Sequence, residues 1–192
     1  MNFSYARVAL KYGLSYLKLE KDSEVLIPDF ICDAILHSFN DLDIKYRYYS
    51  LQSDLTPNWN SIEIAKNSNT MAIMMVHYFG FPQNIDDFQL FCKINNLLLI
   101  EDNAHGYGSI FNGQKLGKFG NIAINSPRKT LGLKSGGQLL INGVLNPSLI
   151  EQHRLLPRFK VKKSQFILNK ILDLNYFIKS NLRFYLKQQP DF

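Results

Sequence analysis

Four apolar residues, 97–100, lead directly into Glu101 and Asp102, and this junction restricts the fold more than any other stretch of the chain. A short run that is apolar at every position, bounded by polar and glycine-rich sequence, is typical of a strand buried on both faces of a sheet. In open α/β sheets, ligands bind at the carboxyl ends of the strands. The two carboxylates therefore stand where a binding site is expected.

Two further strand-like segments follow, at residues 120–126 and 138–141. The first of them ends at Ser126, and Lys129 stands three positions later, next to Arg128. We therefore expect an acid, a hydroxyl and an amine to meet at one edge of the sheet.

These three groups suit one kind of cofactor chemistry. A lysine amine attacks aldehydes once it has lost its proton, which burial or a neighbouring cation favours. Pyridoxal 5′-phosphate (PLP) is the common aldehyde cofactor, and its enzymes pair a Schiff-base lysine with an acid at the pyridine nitrogen. Asp102, Ser126 and Lys129 would supply the acid, a phosphate donor and the amine. The alternative is an ordinary buried strand, a turn serine and a solvated lysine.

Three segments, IEDNAHGYGS, GNIAINSPRK and SGGQLLING, resemble the DegT/DnrJ/EryC1/StrS family of PLP-dependent sugar aminotransferases. The family pattern is E-D-x-A-[QH], a loop, G-D-x-x-x-x-S, the PLP lysine, and paired glycines before a returning strand. Order, spacing and flanking residues agree together. Two earlier segments, SEVLIPDFICDAI and MMVHYFGFPQNID, extend the resemblance over most of residues 4–145.

The resemblance implies a role for each matching residue. Lys129 would form the Schiff base and later shuttle the proton. Asp102 would keep the pyridine nitrogen protonated, and His105 would contact the ring or its 3-hydroxyl. Ser126 would bind the cofactor phosphate. A lysine at position 129 also argues against the dehydratase branch of the family, which carries histidine there.

Three more residues are weaker candidates for the site. Arg7 stands where the family places small and hydroxyl residues near the phosphate, and a solvated helix residue explains it equally well. Cys32 is a candidate for stacking on the pyridine ring, with Phe30 as the other candidate and a core position as the alternative. His77 follows the apolar run 71–76 and is a candidate for lining the substrate site, although a histidine at a strand end is more often structural.

The chain also departs from the family pattern. Asn121 replaces the usual aspartate, Ser135 replaces a common acid, and the two-residue spacing between Ser126 and Lys129 resembles one subgroup. Family members are much longer and add a C-terminal small domain. The alternative function is therefore a truncated, catalytically inactive relative or a non-catalytic partner subunit. A plain nucleotide-binding α/β module is disfavoured, because no usual glycine-rich phosphate loop follows the first strand.

Strand-like and helix-like segments alternate from Glu24 to Ile141. This order predicts a three-layer α/β/α fold with a mostly parallel sheet. The resemblance implies that this fold is the large domain of PLP-dependent transferases. We expect this PLP-binding core to occupy residues 1–146 and a basic amphipathic helical extension to occupy residues 147–192. The predicted strands include 24–27, 44–49 and 71–76. The predicted helices of this core are 4–19, 30–39, a short helix within 55–69, and 85–95.

The extension carries the whole excess of positive charge. Residues 1–150 contain 13 basic and 13 acidic side chains, whereas residues 151–192 contain nine and three. A neutral main domain is not the profile of a nucleic-acid-binding protein. From Phe166 the apolar residues recur at helical spacing, which indicates a helix packed on its own domain or on a second subunit. The alternative is a helix lying on an anionic membrane surface.

Composition places the protein among cytoplasmic globular proteins. No apolar run reaches membrane-spanning length, and we see no signal peptide at the N-terminus. Cys32 and Cys92 lack metal-ligand spacing, and we expect reduced thiols in or near the core. The resemblance further implies a homodimer that takes a nucleotide-linked keto sugar and an amino donor such as glutamate, in polysaccharide or glycan biosynthesis.

Overall fold

The structure is a computed structural model that describes residues 1–19 and 22–143. Over these ranges the chain forms nine β-strands and five α-helices. The strands are β1 (Asn2–Phe3), β2 (Glu24–Pro28), β3 (Lys45–Tyr49), β4 (Thr70–Val76), β5 (Leu98–Asn103), β6 (Ile110–Phe111), β7 (Gln114–Lys115), β8 (Ile122–Asn125) and β9 (Gly137–Ile141). The helices are α1 (Ala6–Leu17), α2 (Leu36–Asn40), α3 (Trp59–Ala65), α4 (Ile85–Asn95) and α5 (Pro127–Leu131).

Seven of these strands form one sheet in the order β1-β9-β8-β5-β4-β2-β3. The five strands from β3 to β8 in this order are mutually parallel, and β9 runs antiparallel to β8. The short strands β6 and β7 form a separate hairpin. The predicted mostly parallel sheet is therefore confirmed.

Alternating side chains of the sheet enter two separate apolar cores. Val25 belongs to the core that α1 covers, whereas the next residue, Leu26, belongs to the core that α3 and α4 cover. Each fully buried aliphatic side chain of this kind stabilises the fold by about 1.5–3 kcal/mol. Helices on both faces of one sheet confirm the predicted α/β/α fold.

The helix predicted at residues 30–39 begins later than the sequence indicates. The backbone at Cys32 is extended, a 3₁₀ turn covers Asp33–Ile35, and α2 follows at Leu36–Asn40. The strand path is prolonged past β2, because the Asp29 N–H donates to the Tyr49 carbonyl of β3 at 2.9 Å. Cys32 is consequently exposed, so its predicted core position is wrong, while Cys92 is buried on α4 as expected.

The sequence pattern does not predict β1, the β6–β7 hairpin or α5. A two-residue strand has no period, so only its pairing partner defines it. β1 pairs antiparallel with β9, with Asn2 opposite Gln138 and Phe3 opposite Gly137. This pairing places the start of α1 beside the end of the sheet that carries the polar residues.

The predictions for the tail lie outside the described residues. These are the domain boundary at 146–147 and the amphipathic helix that starts at Phe166. Within the described ranges, none of the helices combines the length and apolar character needed to cross a membrane.

Candidate functional site

A cleft of about 340 Å³ lies at the carboxyl ends of the parallel strands. It opens on the α1 side of the sheet, between the first turn of α1, the segment after β2, the ends of β4 and β5, and α5. All the predicted site residues line this cleft. They are Arg7, Cys32, His77, Asp102, His105, Ser126 and Lys129. The structure thus brings them together, and the role of each stays a prediction.

Asp102 lies in the wall of the cleft and is only 7% exposed. One carboxylate oxygen, Oδ1, accepts the Ala104 N–H at 2.9 Å. Burial raises the pKa of Asp102, and the Ala104 N–H and the positive charges of Lys129 and His105 offset the rise only in part. A buried carboxyl whose desolvation is only partly offset is suited to binding a cationic group of a ligand.

His105 stands at the mouth of the cleft, stacked on Phe79 with ring centroids 6.1 Å apart and an interplanar angle of 14°. Its Nδ1 accepts the Phe79 backbone N–H at 3.3 Å, which leaves Nε2 as the protonated nitrogen of a neutral ring. Burial lowers the pKa of His105, as does the charge of Lys129, while Asp102 opposes them. A neutral His105 can therefore donate a hydrogen bond from Nε2.

Ser126 and Lys129 are placed by the junction between β8 and α5. Ser126 is 1% exposed and is the N-cap residue, and Pro127 begins the helix. Proline suits this position because the first helical N–H has no partner within the helix. Lys129, one turn later, donates its backbone N–H to the Ser126 carbonyl at 2.9 Å, and its side chain is exposed. Both residues line the cleft.

His77 also borders the cleft, but both of its ring nitrogens contact the protein. Nδ1 accepts the Gln83 N–H at 3.0 Å, so Nε2 carries the proton and donates to Glu101 Oε1 at 2.9 Å. The ring is fully buried. This arrangement matches the structural role that histidines at strand ends usually have, and a substrate contact stays a prediction.

Four residues that line the cleft were not among the predicted site residues: Tyr5, Tyr78, Phe79 and Arg128. Tyr78 directly follows His77 at the end of β4, so strand-end position was a usable indication. Its hydroxyl donates to the Phe30 carbonyl at 2.7 Å, and the two rings lie 5.7 Å apart. Tyr5 lies in the segment that the resemblance places near the cofactor phosphate, but only Arg7 of that segment was proposed as a site residue.

The paired glycines, Gly136 and Gly137, bring the N-terminal segment against the site. The Gly136 N–H donates to the Ser4 carbonyl at 2.7 Å. A Cβ at Gly137 would overlap the Tyr5 carbonyl, and a Cβ at Gly136 would lie 3.3 Å from the Arg128 nitrogen. Only residues without a side chain allow α1 and α5 to start so close to β9.

Comparison with known sequences identifies relatives that act on nucleotide-linked sugars. The chain is 28% identical over 142 residues to the GDP-perosamine synthase of Vibrio cholerae, covering 72% of this chain and 39% of that enzyme. It is 30% identical over 142 residues to the UDP-N-acetyl-3-dehydro-α-D-glucosamine 3-aminotransferase of Acidithiobacillus ferrooxidans, covering 69% and 37%. The chain thus spans less than two fifths of the length of either relative.

A solved structure with the same fold is S. venezuelae DesV, with a TM-score of 0.70 and 23% identity over 84% of this chain and 44% of that one. The model of the DegT/DnrJ/EryC1/StrS aminotransferase family matches residues 2–180. This match covers nearly all of the chain, including the segments that form the cleft. The chain belongs to the DegT/DnrJ/EryC1/StrS aminotransferase family.

Proposed function

We propose that this protein is a PLP-dependent aminotransferase that places an amino group on a nucleotide-linked keto sugar. The family to which the chain belongs is a family of PLP-dependent aminotransferases, and Lys129 argues against its dehydratase branch. The observation that carries the proposal is the meeting of Asp102 and Lys129 on one cleft, with Lys129 close enough for its charge to act on the buried carboxylate. The chemistry requires both side chains to contact the same cofactor molecule.

The side chains of the cleft fit PLP. The cofactor presents an aldehyde, a basic ring nitrogen and a phosphate, and the cleft offers an amine, a buried acid and a set of donors. A volume of about 340 Å³ lies in the range of small-molecule sites. When bound, PLP supplies an electron sink that stabilises negative charge on the carbon losing its proton.

Lys129 and Asp102 would have the two central roles in catalysis. The Lys129 amine would hold the aldehyde, and its Nζ can afterwards take up and return a proton. Asp102 would accept a hydrogen bond from the protonated ring nitrogen. Burial raises the pKa of the free Asp102 carboxyl, and a cationic partner would oppose this rise because opposite charges favour the ionised form.

The remaining lining residues would orient the cofactor. His105 has its donor at Nε2 and would contact the ring or its 3-hydroxyl. Ser126 and Arg7 would contact the phosphate. Cys32 or Phe30 would lie against the ring, since both line the cleft and both side chains are exposed there.

We take the substrate class from the relatives. Their names specify amino sugars linked to GDP or UDP, which supports a nucleotide sugar as the amino acceptor. Glutamate is proposed as the amino donor, and polysaccharide or glycan biosynthesis as the setting. The free thiols of Cys32 and Cys92 support a reducing compartment, the cytoplasm.

We also propose a homodimer. Phe30, Phe79 and Phe81 are 57%, 69% and 74% exposed, and the first two stand on the rim of the cleft. Exposed aromatic side chains beside a site are typical of a surface that another protein covers. Light scattering of the purified chain tests this assembly, with a monomer at micromolar concentration as the contradicting result.

An absorbance titration with PLP tests the proposed activity. Wild-type protein should develop a visible band that glutamate bleaches, and Lys129→Ala should develop none. Lys93→Ala is the matched control, because Lys93 is an exposed lysine on α4, away from the cleft.

Two results would contradict the proposal. A band that no amino donor or keto sugar alters would mean cofactor binding without amino transfer, as in an inactive relative or a partner subunit. A folded wild-type protein without a band would remove the cofactor as well.

A further inference from the structure

Two arginines from different parts of the fold contact one aromatic ring in the cleft. The guanidinium carbon of Arg7 lies 4.5 Å from the centre of the Tyr5 ring, and that of Arg128 lies 5.4 Å from it. Both distances are within the range of cation–π interactions. Arg7 belongs to α1 and Arg128 to α5, so the ring joins side chains that are 121 positions apart in sequence.

Neither arginine has an acidic partner among the residues that the structure describes. Within residues 1–19 and 22–143, neither Arg7, Arg128 nor Lys129 forms an ion pair with a carboxylate. These three cations line the cleft together with a single acidic side chain, Asp102. With Asp102 ionised, the described lining of the cleft has an excess of two positive charges. A phosphate monoester carries about −1.5 to −2 charges at neutral pH, which matches that excess.

The paired glycines allow the segments that carry Tyr5 and Arg128 to pack closely against β9. Gly136 lies against the backbone nitrogen of Arg128, and Gly137 lies against the Tyr5 carbonyl. The ring is half-buried, so its contacts with both guanidinium groups limit the positions that these long side chains adopt. Arginine suits this task because its planar group can stack on a ring and still donate to two phosphate oxygens.

We propose that Arg7 and Arg128, mounted on the Tyr5 ring, form a clamp for a doubly charged phosphate ester in the cleft. Ser126, which also lines the cleft, supplies a hydroxyl. Two sources share this chemistry: the phosphate of PLP and the diphosphate of a nucleotide sugar. Naming these sources rests on the proposed function, whereas the clamp itself rests on the three side chains.

Binding of PLP, of pyridoxal and of GDP, measured by calorimetry on the full chain, tests the clamp. Arg128→Met keeps most of the side-chain stem and removes the charge. It should weaken PLP binding about tenfold to a hundredfold, the usual effect of losing a charge-assisted hydrogen bond, and leave pyridoxal binding unchanged. Arg47→Met is the control, because Arg47 pairs with Glu24 outside the cleft.

The ring has its own test. Tyr5→Leu should weaken PLP binding because it removes the aromatic surface, while Tyr5→Phe should bind as wild type does. If Arg128→Met and Tyr5→Leu instead weaken GDP binding and leave PLP binding intact, the clamp holds the nucleotide diphosphate.

Three results would overturn the clamp. The first is no change in either ligand, and the second is an equal loss of pyridoxal and PLP, which indicates a structural role. The third is a loss of thermal stability in Arg128→Met large enough to explain the weaker binding. The outcome is independent of amino transfer: a protein that binds PLP or GDP through Arg128 but transfers no amino group would keep the clamp and contradict the proposed function.

Discussion

Glu101 and Asp102 are neighbours in β5, yet their side chains lie on opposite faces of the sheet and meet opposite surroundings. Glu101 is fully buried and accepts hydrogen bonds from the His77 ring and from three backbone N–H groups of the loop before β8, those of Gly117, Phe119 and Gly120. Asp102 accepts the Ala104 N–H beside the cleft.

Their pKa values show what the difference means. Burial alone would raise the pKa of Glu101, but its hydrogen bonds with His77, Gly117 and Gly120 outweigh burial, so the pKa lies below its ordinary value. For Asp102 burial prevails and the pKa is raised. A buried carboxylate whose hydrogen bonds are all formed within the protein stabilises the fold. A buried carboxylate with few protein partners is a candidate for binding a ligand.

The largest expected effect comes from removing the satisfied carboxylate. Glu101→Ala should lower the free energy of unfolding by at least about 3 kcal/mol, because a buried histidine and the loop N–H groups lose their acceptor together. Urea denaturation measures the loss. Glu63→Ala on α3 is the control, since Glu63 is an exposed acid in an i,i+3 pair with Lys66. A loss as small as that of the control would mean that the network does not support the fold.

Asp102→Asn should show the reverse pattern. Amino transfer should fall at least about a hundredfold, because the amide cannot neutralise a protonated ring nitrogen. The unfolding free energy of the cofactor-free protein should stay the same or rise, since a neutral amide is easier to bury than a carboxylate. Single-turnover kinetics and urea denaturation of the same preparation measure both. A variant that is both active and destabilised would make Asp102 a structural residue like Glu101.

Gly137→Ala tests how the cleft is assembled, and we expect a smaller effect. The added methyl group would overlap the Tyr5 carbonyl, so β9 and the start of α1 must move apart. Overpacking of this kind costs about 1–3 kcal/mol. Thermal unfolding should show this loss, and PLP affinity should fall with it, whereas the neighbouring Ser135→Ala should change neither. Normal PLP affinity in a destabilised Gly137→Ala would separate the glycine from the site.

The smallest expected effect is a difference in the sign of the pH dependence. Folding lowers the pKa of Glu101 from 4.5, so its contribution is present above that pH and is lost as the pH falls through the folded-state pKa. Folding raises the pKa of Asp102 from 3.8, so its ionisation destabilises the protein as the pH rises from that value through the folded-state pKa.

Variants of the two acids should therefore diverge in chemical denaturation. As the pH rises from 3.8 through the folded-state pKa, Asp102→Asn should gain stability relative to wild type, by about 1.4 kcal/mol for each unit of pKa shift. The deficit of Glu101→Gln should shrink as the pH falls from 4.5 through the folded-state pKa of Glu101, because wild-type Glu101 then becomes protonated. Parallel pH curves for wild type and both variants would contradict the assigned surroundings.

The comparison of the two acids also shows which features of the structure could be predicted from the sequence. The apolar run before Glu101 predicted a buried strand, and the alternation of segments predicted the α/β/α layers, because both depend on local periodicity. Periodicity also placed the ends of α4 correctly. The pattern E-D did not reveal that Glu101 is a structural anchor, because its partners at 117–120 are positioned only by tertiary contacts.

The same limit applies to the clamp residues. Arg128 and Tyr5 have no common motif, and they meet only because β1 and β9 pair and two glycines permit close approach. The extended backbone at Cys32 likewise depends on a hydrogen bond between the ends of two strands. Strand ends and the family pattern predicted which residues meet in the cleft, whereas the contacts made by the short N-terminal strand and the paired glycines had no local pattern to predict them.

The most direct measurement is the site of covalent attachment. Protein incubated with PLP and reduced with borohydride should carry the cofactor on Lys129, as identified by peptide mass spectrometry, at one cofactor per chain. Asp102→Asn should label the same lysine, because the acid governs reactivity and not attachment. A label spread over exposed lysines such as Lys93, or one that persists at full yield in Lys129→Ala, would contradict the account that the Asp102 face of β5 is the cofactor site.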